Sequence, residues 1–177
     1  MKNNWIKTER LSLRPLGLKY LDSAHDYAGN PENTEYMVFL PNSTKQETEE
    51  FLRFVEEEWH SEEQKVYEYA ILLDERHIGA VSLSLDESMK IGELGWILHN
   101  SHKGNGYATE AAKAIVDFAM ASDKFDLEKI IASCDYRNAS SVRVMEKLGL
   151  TLESDDGMRT NKNDDKEVQE LVYSMVV

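Results

Sequence analysis

The chain has 177 residues, enough for one domain with a buried core and too few for two comfortable ones. Apolar residues make up 41% of it, which excludes a disordered chain. Its 33 acidic against 20 basic residues give a formal charge of −13, which argues against a nucleic-acid partner and suits a positively charged one.

The start of the chain is polar and charged (Lys2, Asn3, Asn4, Lys7, Glu9, Arg10), which does not read as a secretory signal peptide. No apolar run approaches the roughly 18 residues that a membrane span requires. The one cysteine, Cys134, has no partner for an internal disulfide. A soluble cytoplasmic protein with no membrane partner is expected, a single domain over 1–177.

Leu11 and Leu13 alternate with polar residues in a first strand that Pro15 ends. Helices are expected over 18–28 and 44–61, the second opened by Thr44 and Glu47 at capping-box spacing. Strands 66–73 and 78–85 flank a turn at Asp74-Glu75-Arg76-His77, and Val81, Leu83 and Leu85 alternate with Ser82 and Ser84. An apolar strand over 91–98 follows, then a helix over 107–121, a strand over 127–135 and a helix from Ala139. Segments 151–153 and 168–176 complete an antiparallel end.

Between the strand at 91–98 and the helix at 107–121 lies Lys103-Gly104-Asn105-Gly106-Tyr107-Ala108-Thr109. Glycine lowers the barrier to positive φ and lets a bulky ligand touch the main chain. The helix behind it offers unpaired first-turn N–H groups and the positive end of its dipole, a seat for a phosphate. No Gly-Lys-Ser/Thr closes a Walker-type loop, and a dinucleotide fingerprint lacks the strand directly before its first glycine.

About 30 residues further on, Asn138-Ala139-Ser140-Ser141-Val142-Arg143-Val144-Met145-Glu146-Lys147-Leu148-Gly149 reads as a capped helix with a left-handed stop. In this order, the two segments resemble the acyl-CoA-binding core of the GNAT N-acetyltransferase superfamily. Thr8-Glu9-Arg10-Leu11-Ser12-Leu13-Arg14-Pro15 and Gly92-Glu93-Leu94-Gly95-Trp96-Ile97-Leu98 resemble the RimJ/RimL branch, which acetylates the N-termini of ribosomal proteins. The resemblance runs from Thr8 to about Ser174. It implies an α/β (α+β) GNAT fold: a mixed, twisted, mostly antiparallel sheet of about seven strands, helices on both faces, strands 4 and 5 splayed apart.

The resemblance also implies the chemistry, transfer of an acetyl group from acetyl-CoA, a co-substrate, to a primary amine. The pyrophosphate of acetyl-CoA would rest on main-chain N–H groups from Gly104 to Thr109, with Asn105, Tyr107 and Ala108 in the cradle. Lys103 stands where the family carries Gln or Arg, keeping charge but not a planar head. Tyr107 either packs the helix start or touches the ligand. Main-chain groups of Ile97 and Leu98 would pair with the pantetheine arm, and Asn138 would bond it while capping its helix.

Glu93, an acid in an otherwise apolar strand, is the candidate base, with His99 and His102 as rivals. Many relatives place a tyrosine seven residues beyond the Asn; here that residue is Met145, and Ser141 is the group offered to the sulfur. The acidic run Glu47, Glu49, Glu50, Glu56, Glu57, Glu58, Glu62, Glu63 is either a solvated helix face with Leu52, Val55 and Trp59 turned inward, or a steering surface for a cationic acceptor.

Cys134 reads as core, and Asn161-Lys162-Asn163-Asp164-Asp165 as a hairpin turn rather than a calcium loop; no metal is expected. The acceptor expected first is a protein N-terminus. A polyamine, an aminoglycoside-like amine, or a module that binds acyl-CoA without chemistry are the alternatives, in a monomer or homodimer.

Overall fold

The computed structural model describes residues 5–177, so Lys2, Asn3 and Asn4 lie outside it. The strands are β1 (Ile6–Lys7), β2 (Leu11–Pro15), β3 (Val66–Leu73), β4 (Arg76–Leu85), β5 (Ile91–Leu98), β6 (Lys129–Asp135), β7 (Thr151–Arg159) and β8 (Val168–Val176). The helices are α1 (Leu21–Ala28), α2 (Lys45–His60), α3 (Tyr107–Ala121) and α4 (Ala139–Lys147). Among the described residues these strands form one eight-stranded sheet in the order β1-β2-β3-β4-β5-β6-β8-β7. Every neighbouring pair is antiparallel except β5 with β6. The mixed sheet agrees with the sequence reading, and the two-residue β1 raises the expected seven strands to eight.

Alternation along the strands sorts their side chains between two cores. Leu13, Tyr69, Ile71, Val81, Leu83, Leu94, Leu98, Ile130 and Ala132 pack against Ala111, Ala112 and Ile115 of α3 and Met145 of α4. Ala70, Leu72 and Ala80 face the other way, against Ala24 and Tyr27 of α1 and Leu52 and Val55 of α2. Trp59 bridges both clusters.

Local signals account for most boundaries. The Thr44 side chain accepts from Glu47 N at the head of α2, and Glu47 returns to Ser43 N, one residue earlier than the capping box predicts. Asp74 and Glu75, with φ of 47° and 63°, make a two-residue turn whose positive φ values match the right-handed twist of the flanking strands, so β4 begins at Arg76 and not at 78. Gly149, at φ 87°, ends α4 as expected.

Three spans differ from the sequence reading. Leu18–Tyr20 forms a 3-10 turn ahead of α1, so the helix expected over 18–28 is shorter. Leu127 is core but lies ahead of the ladder, which starts at Lys129. β7 runs on from the expected 153 to Arg159, because an exposed edge strand needs no apolar alternation; register shifts after Leu152 and Ser154 accommodate Glu153, Asp155 and Asp156.

Candidate active site

β5 and β6 pair only over Ile91–Glu93 with Lys129–Ile131, and β6 continues along β8 as far as Asp135. From Leu94 to Leu98 the β5 edge has no strand partner, which opens a gap of about 16 Å at 3.3 Å per residue. This is the splay expected between the fourth and fifth strands, one number higher here because of β1. His99 donates its N–H to the Ile78 carbonyl at 2.9 Å, and alternation from that bond turns the main chain of Gly95 and Ile97 toward β4. The main-chain groups of Leu94, Trp96 and Leu98 therefore face the gap. Of the two residues the sequence singled out, Leu98 presents its main chain there, while Ile97 packs its side chain toward α1 and α2.

The loop after β5 has the geometry that its glycines imply. Gly104 and Gly106 both have φ of 81°, and a Cβ on Gly104 would meet nothing within 4 Å. Gly106 is the N-cap of α3 and so brings no side chain to the helix start. The first-turn N–H groups of Tyr107, Ala108 and Thr109 are thus left for a ligand, with the helix dipole behind them. Asn105 Nδ2 donates to the His102 and Lys103 carbonyls, which holds the loop in shape.

Two contributors to this cradle were not found from sequence. Arg10 donates from Nη1 to the Asn105 carbonyl at 3.0 Å, lies over the Tyr107 ring, and is fixed by Glu110, whose carboxylate also takes Thr8 and Arg10 N. Its free Nη2 would stand 3.5 Å from a Cβ on Gly106. Tyr107 therefore packs under a guanidinium. Asn33, almost fully buried, donates from Nδ2 to the Leu98 carbonyl at 3.0 Å while its Oδ1 finds no partner. A buried acceptor left open at the gap points to a donor arriving with a ligand. Lys103 turns inward, with Nζ 3.4 Å from the Asn33 carbonyl, and burial lowers its pKa against the pull of Glu35.

At the far side of the gap, Asn138 caps α4 by accepting from Ser141 N at 3.2 Å and from Ser140 Oγ at 2.8 Å. Ser141 thus sits in the first turn of α4, half-buried. Met145 is fully buried, so the position where relatives carry a tyrosine faces the core. Cys134 is core as expected, and burial pushes its thiol up to about 11.

On the α1/α2 side of the sheet, a polar strip runs beside the gap. Glu68, Ser82, Ser84, Gly95 and Glu93 share this face by register, and Ser133 of β6 bonds Glu93 Oε1 at 3.3 Å across the last rung. Glu93 is exposed at the mouth. His99 and His102 form a separate cluster around Ser101, and burial first, then the charge of His99, lowers the His102 pKa. No group of three or more His, Cys, Asp and Glu among the described residues is arranged to hold a metal, and no helix there is long and apolar enough to cross a membrane.

The gap, the uncapped helix end, the open glycines and the orphan Asn33 acceptor fit a long ligand with amides at one end and phosphates at the other. Comparison with known proteins agrees. The acetyltransferase (GNAT) domain family matches residues 10–151. An uncharacterized N-acetyltransferase of Bacillus subtilis (strain 168), YnaD, is 30% identical over 149 residues, covering 84% of this chain and 83% of its own. The ribosomal L7/L12 alpha-N-protein acetyltransferase RimL, in complex with coenzyme A, superposes with a TM-score of 0.85 at 16% identity, covering 98% of each chain. A spermidine N-acetyltransferase from Vibrio cholerae, in complex with CoA and spermine, gives 0.79 at 18% identity and covers 96% of each chain.

Proposed function

We propose that this chain, which belongs to the GNAT acetyltransferase family and is an acetyl-CoA-dependent N-acetyltransferase, acetylates the amino terminus of a protein presented on a cationic segment. The observation that carries this reading is the polar strip on the α1/α2 side of the sheet, where Glu93 stands exposed at the mouth of the gap beside Ser84 and Ser133. The thioester supplies the activated acyl carbon; the chain's residues hold and orient it. Gly104 to Thr109 and Arg10 take the phosphates, the Leu98 and Trp96 main chain and Asn33 Oδ1 meet the amides, and Asn138 and Ser141 lie toward the sulfur. Ser141 is offered to the departing thiolate as a hydrogen-bond donor.

Glu93 offers its side-chain oxygens to the arriving ammonium. Glu93→Gln is expected to raise the acceptor KM about tenfold and leave acetyl-CoA affinity within twofold, the loss of one charge-assisted contact. Steady-state kinetics with calorimetry separates the two; an unchanged acceptor KM removes Glu93 from the site.

The acidic run is partly structural. Glu56 accepts from Leu18 N, and Glu58 accepts from Lys65 N and Val66 N, each at 2.8–2.9 Å. Glu57, Glu62 and Glu63, and Glu50 beside Gln46, are exposed and can steer a cation, while Leu52 and Val55 face inward as expected. Steering acts on encounter and fades as the Debye length falls from about 10 Å at 0.1 M to about 3 Å at 1 M. The acceptor KM should therefore rise with salt more than the acetyl-CoA KM, and changing those four residues to Gln should flatten the rise.

Thiol release and mass spectrometry on a panel test the acceptor itself: a basic peptide with a free N-terminal serine, spermidine, and an aminoglycoside. Preference for the peptide supports the proposal. Preference for spermidine assigns the cleft to polyamines, and a neutral preferred acceptor sinks the electrostatic argument.

A further inference from the structure

Glu68 occupies a place where strand alternation calls for an apolar side chain. It shares its face of β3 with Ala70 and Leu72, which pack under α1 and α2. Its main chain cannot shift, because the carbonyl takes Leu16 N at 3.0 Å from the end of β2 and Trp59 Nε1 at 3.1 Å from α2. The titratable group facing its carboxyl from α1 is Tyr27, and β4 brings the Ser82 hydroxyl. No Lys, Arg or His pairs with it among the described residues. Burial pushes the carboxyl up to about 7, with Ser82 hydrogen bonding pulling the other way. Burial, then the Glu68 charge, push the Tyr27 hydroxyl upward, so Tyr27 stays protonated.

A half-buried acid without a counter-ion is costly to a fold and useful to a site. The register shows where it leads. Glu68 pairs with Ser82, and Ser82 pairs with Gly95, one row across three strands. A Cβ on Gly95 would stand 2.7 Å from Ser82 Oγ and meet nothing else, so the hydroxyl lies over the bare glycine. Gly95 is on β5 just past the last rung at Glu93, where the gap opens. The two strand spacings from Glu68 to Gly95 amount to about 9.6 Å, a span that the Glu side chain, one hydroxyl and one water can bridge.

We propose that Glu68, acting through the Ser82 hydroxyl, is the proton acceptor for the amine that attacks the thioester. This rests on reading the strip as the acceptor side. Ser82 takes a proton from the ammonium as it passes its own to the Glu68 carboxylate. The freed lone pair forms the N–C bond as the C–S bond breaks, and sulfur leaves with the bonding pair. The second proton lost from nitrogen ends on that sulfur, so each turnover leaves one proton on Glu68, released to solvent. A proton acceptor titrating near neutrality is matched to this task.

The test is the pH dependence of kcat/KM, with the serine peptide and with spermidine, for the parent, Glu68→Gln, Glu68→Asp and Glu93→Gln, alongside acetyl-CoA affinity by calorimetry. The parent should gain activity as pH rises through about 7. Glu68→Gln should lose that limb and fall on the order of 10²-fold at pH 7.5, with acetyl-CoA affinity within twofold. Glu68→Asp should keep the limb with partial activity. A limb that survives in Glu68→Gln, or that vanishes in Glu93→Gln alone, overturns the assignment.

A second readout needs no acceptor. A carboxyl whose proton affinity is raised by folding from the ordinary 4.5 contributes stability in acid and loses it as pH rises through about 7. Glu68→Gln should therefore raise Tm at pH 8 and change it little at pH 5; equal changes at both pH values also overturn the assignment. A parent inert toward both amines would fail the acceptor reading instead.

Discussion

Replacing Gly106 with Val is expected to weaken CoA binding more than tenfold, about 1.4 kcal/mol or more. Gly106 holds φ at 81°, a region that a β-branched residue resists, and it heads α3 where a phosphate would approach the N–H groups of Tyr107 to Thr109. The protein itself leaves room, since Arg10 Nη2, the nearest atom to a Cβ there, is 3.5 Å away. The loss should thus fall on the ligand more than on packing. Calorimetry with CoA on the folded variant measures it, and Gly104→Ala is the milder control, because only backbone strain opposes it. Unchanged affinity in folded Gly106→Val would remove the phosphates from this loop.

The parts of the site legible in the sequence were those carried by short-range chemistry. Gly104 and Gly106 announce positive φ, and Asn138 announces a cap, whatever the rest of the chain does. Apolar periodicity placed β5 and α3 to the residue. Arg10, Asn33 and Glu68 were invisible for a common reason, that their meaning arises only across the fold. Arg10 meets Asn105 only after β2 and α3 have packed. Asn33 lies in a loop without periodicity, and its contact with Leu98 spans 65 residues of chain. Glu68 alone in a strand reads as a solvent-facing position; only the strand order and the helices packed on its face show that the position is partly covered. β7 was cut short for the opposite reason: an edge strand in water carries no apolar signal to read.

Arg137→Met is expected to destabilise the protein, and the loss should be felt at the gap. Asp135, the last residue of β6, is fully buried. Its carboxylate takes Arg137 Nε at 2.9 Å, Arg137 Nη2 at 2.6 Å and Asn161 Nδ2 at 2.6 Å, and Arg137 also holds Asp164. Burial raises the Asp135 pKa, but these hydrogen bonds outweigh it and hold the carboxyl below its ordinary value. The segment 161–165, read from sequence as a plain hairpin turn, is therefore the clamp on the free end of β6, next to the Asn138 cap. Losing the guanidinium leaves a buried charge with fewer donors. Because Arg137 is about one-third open to water, the loss should be smaller than for a fully buried pair. The Tm should fall measurably at neutral pH. A carboxyl with depressed proton affinity contributes stability above its unfolded value of 3.8 and loses it as pH falls through its lower folded value, so the deficit of Arg137→Met should shrink below pH 3.8. Adding Asp135→Asn removes the stranded charge and should recover part of the loss. A Tm within 2 °C of the parent at neutral pH, or no recovery in the double variant, would mean that the hairpin and not the ion pair holds β6 away from β5.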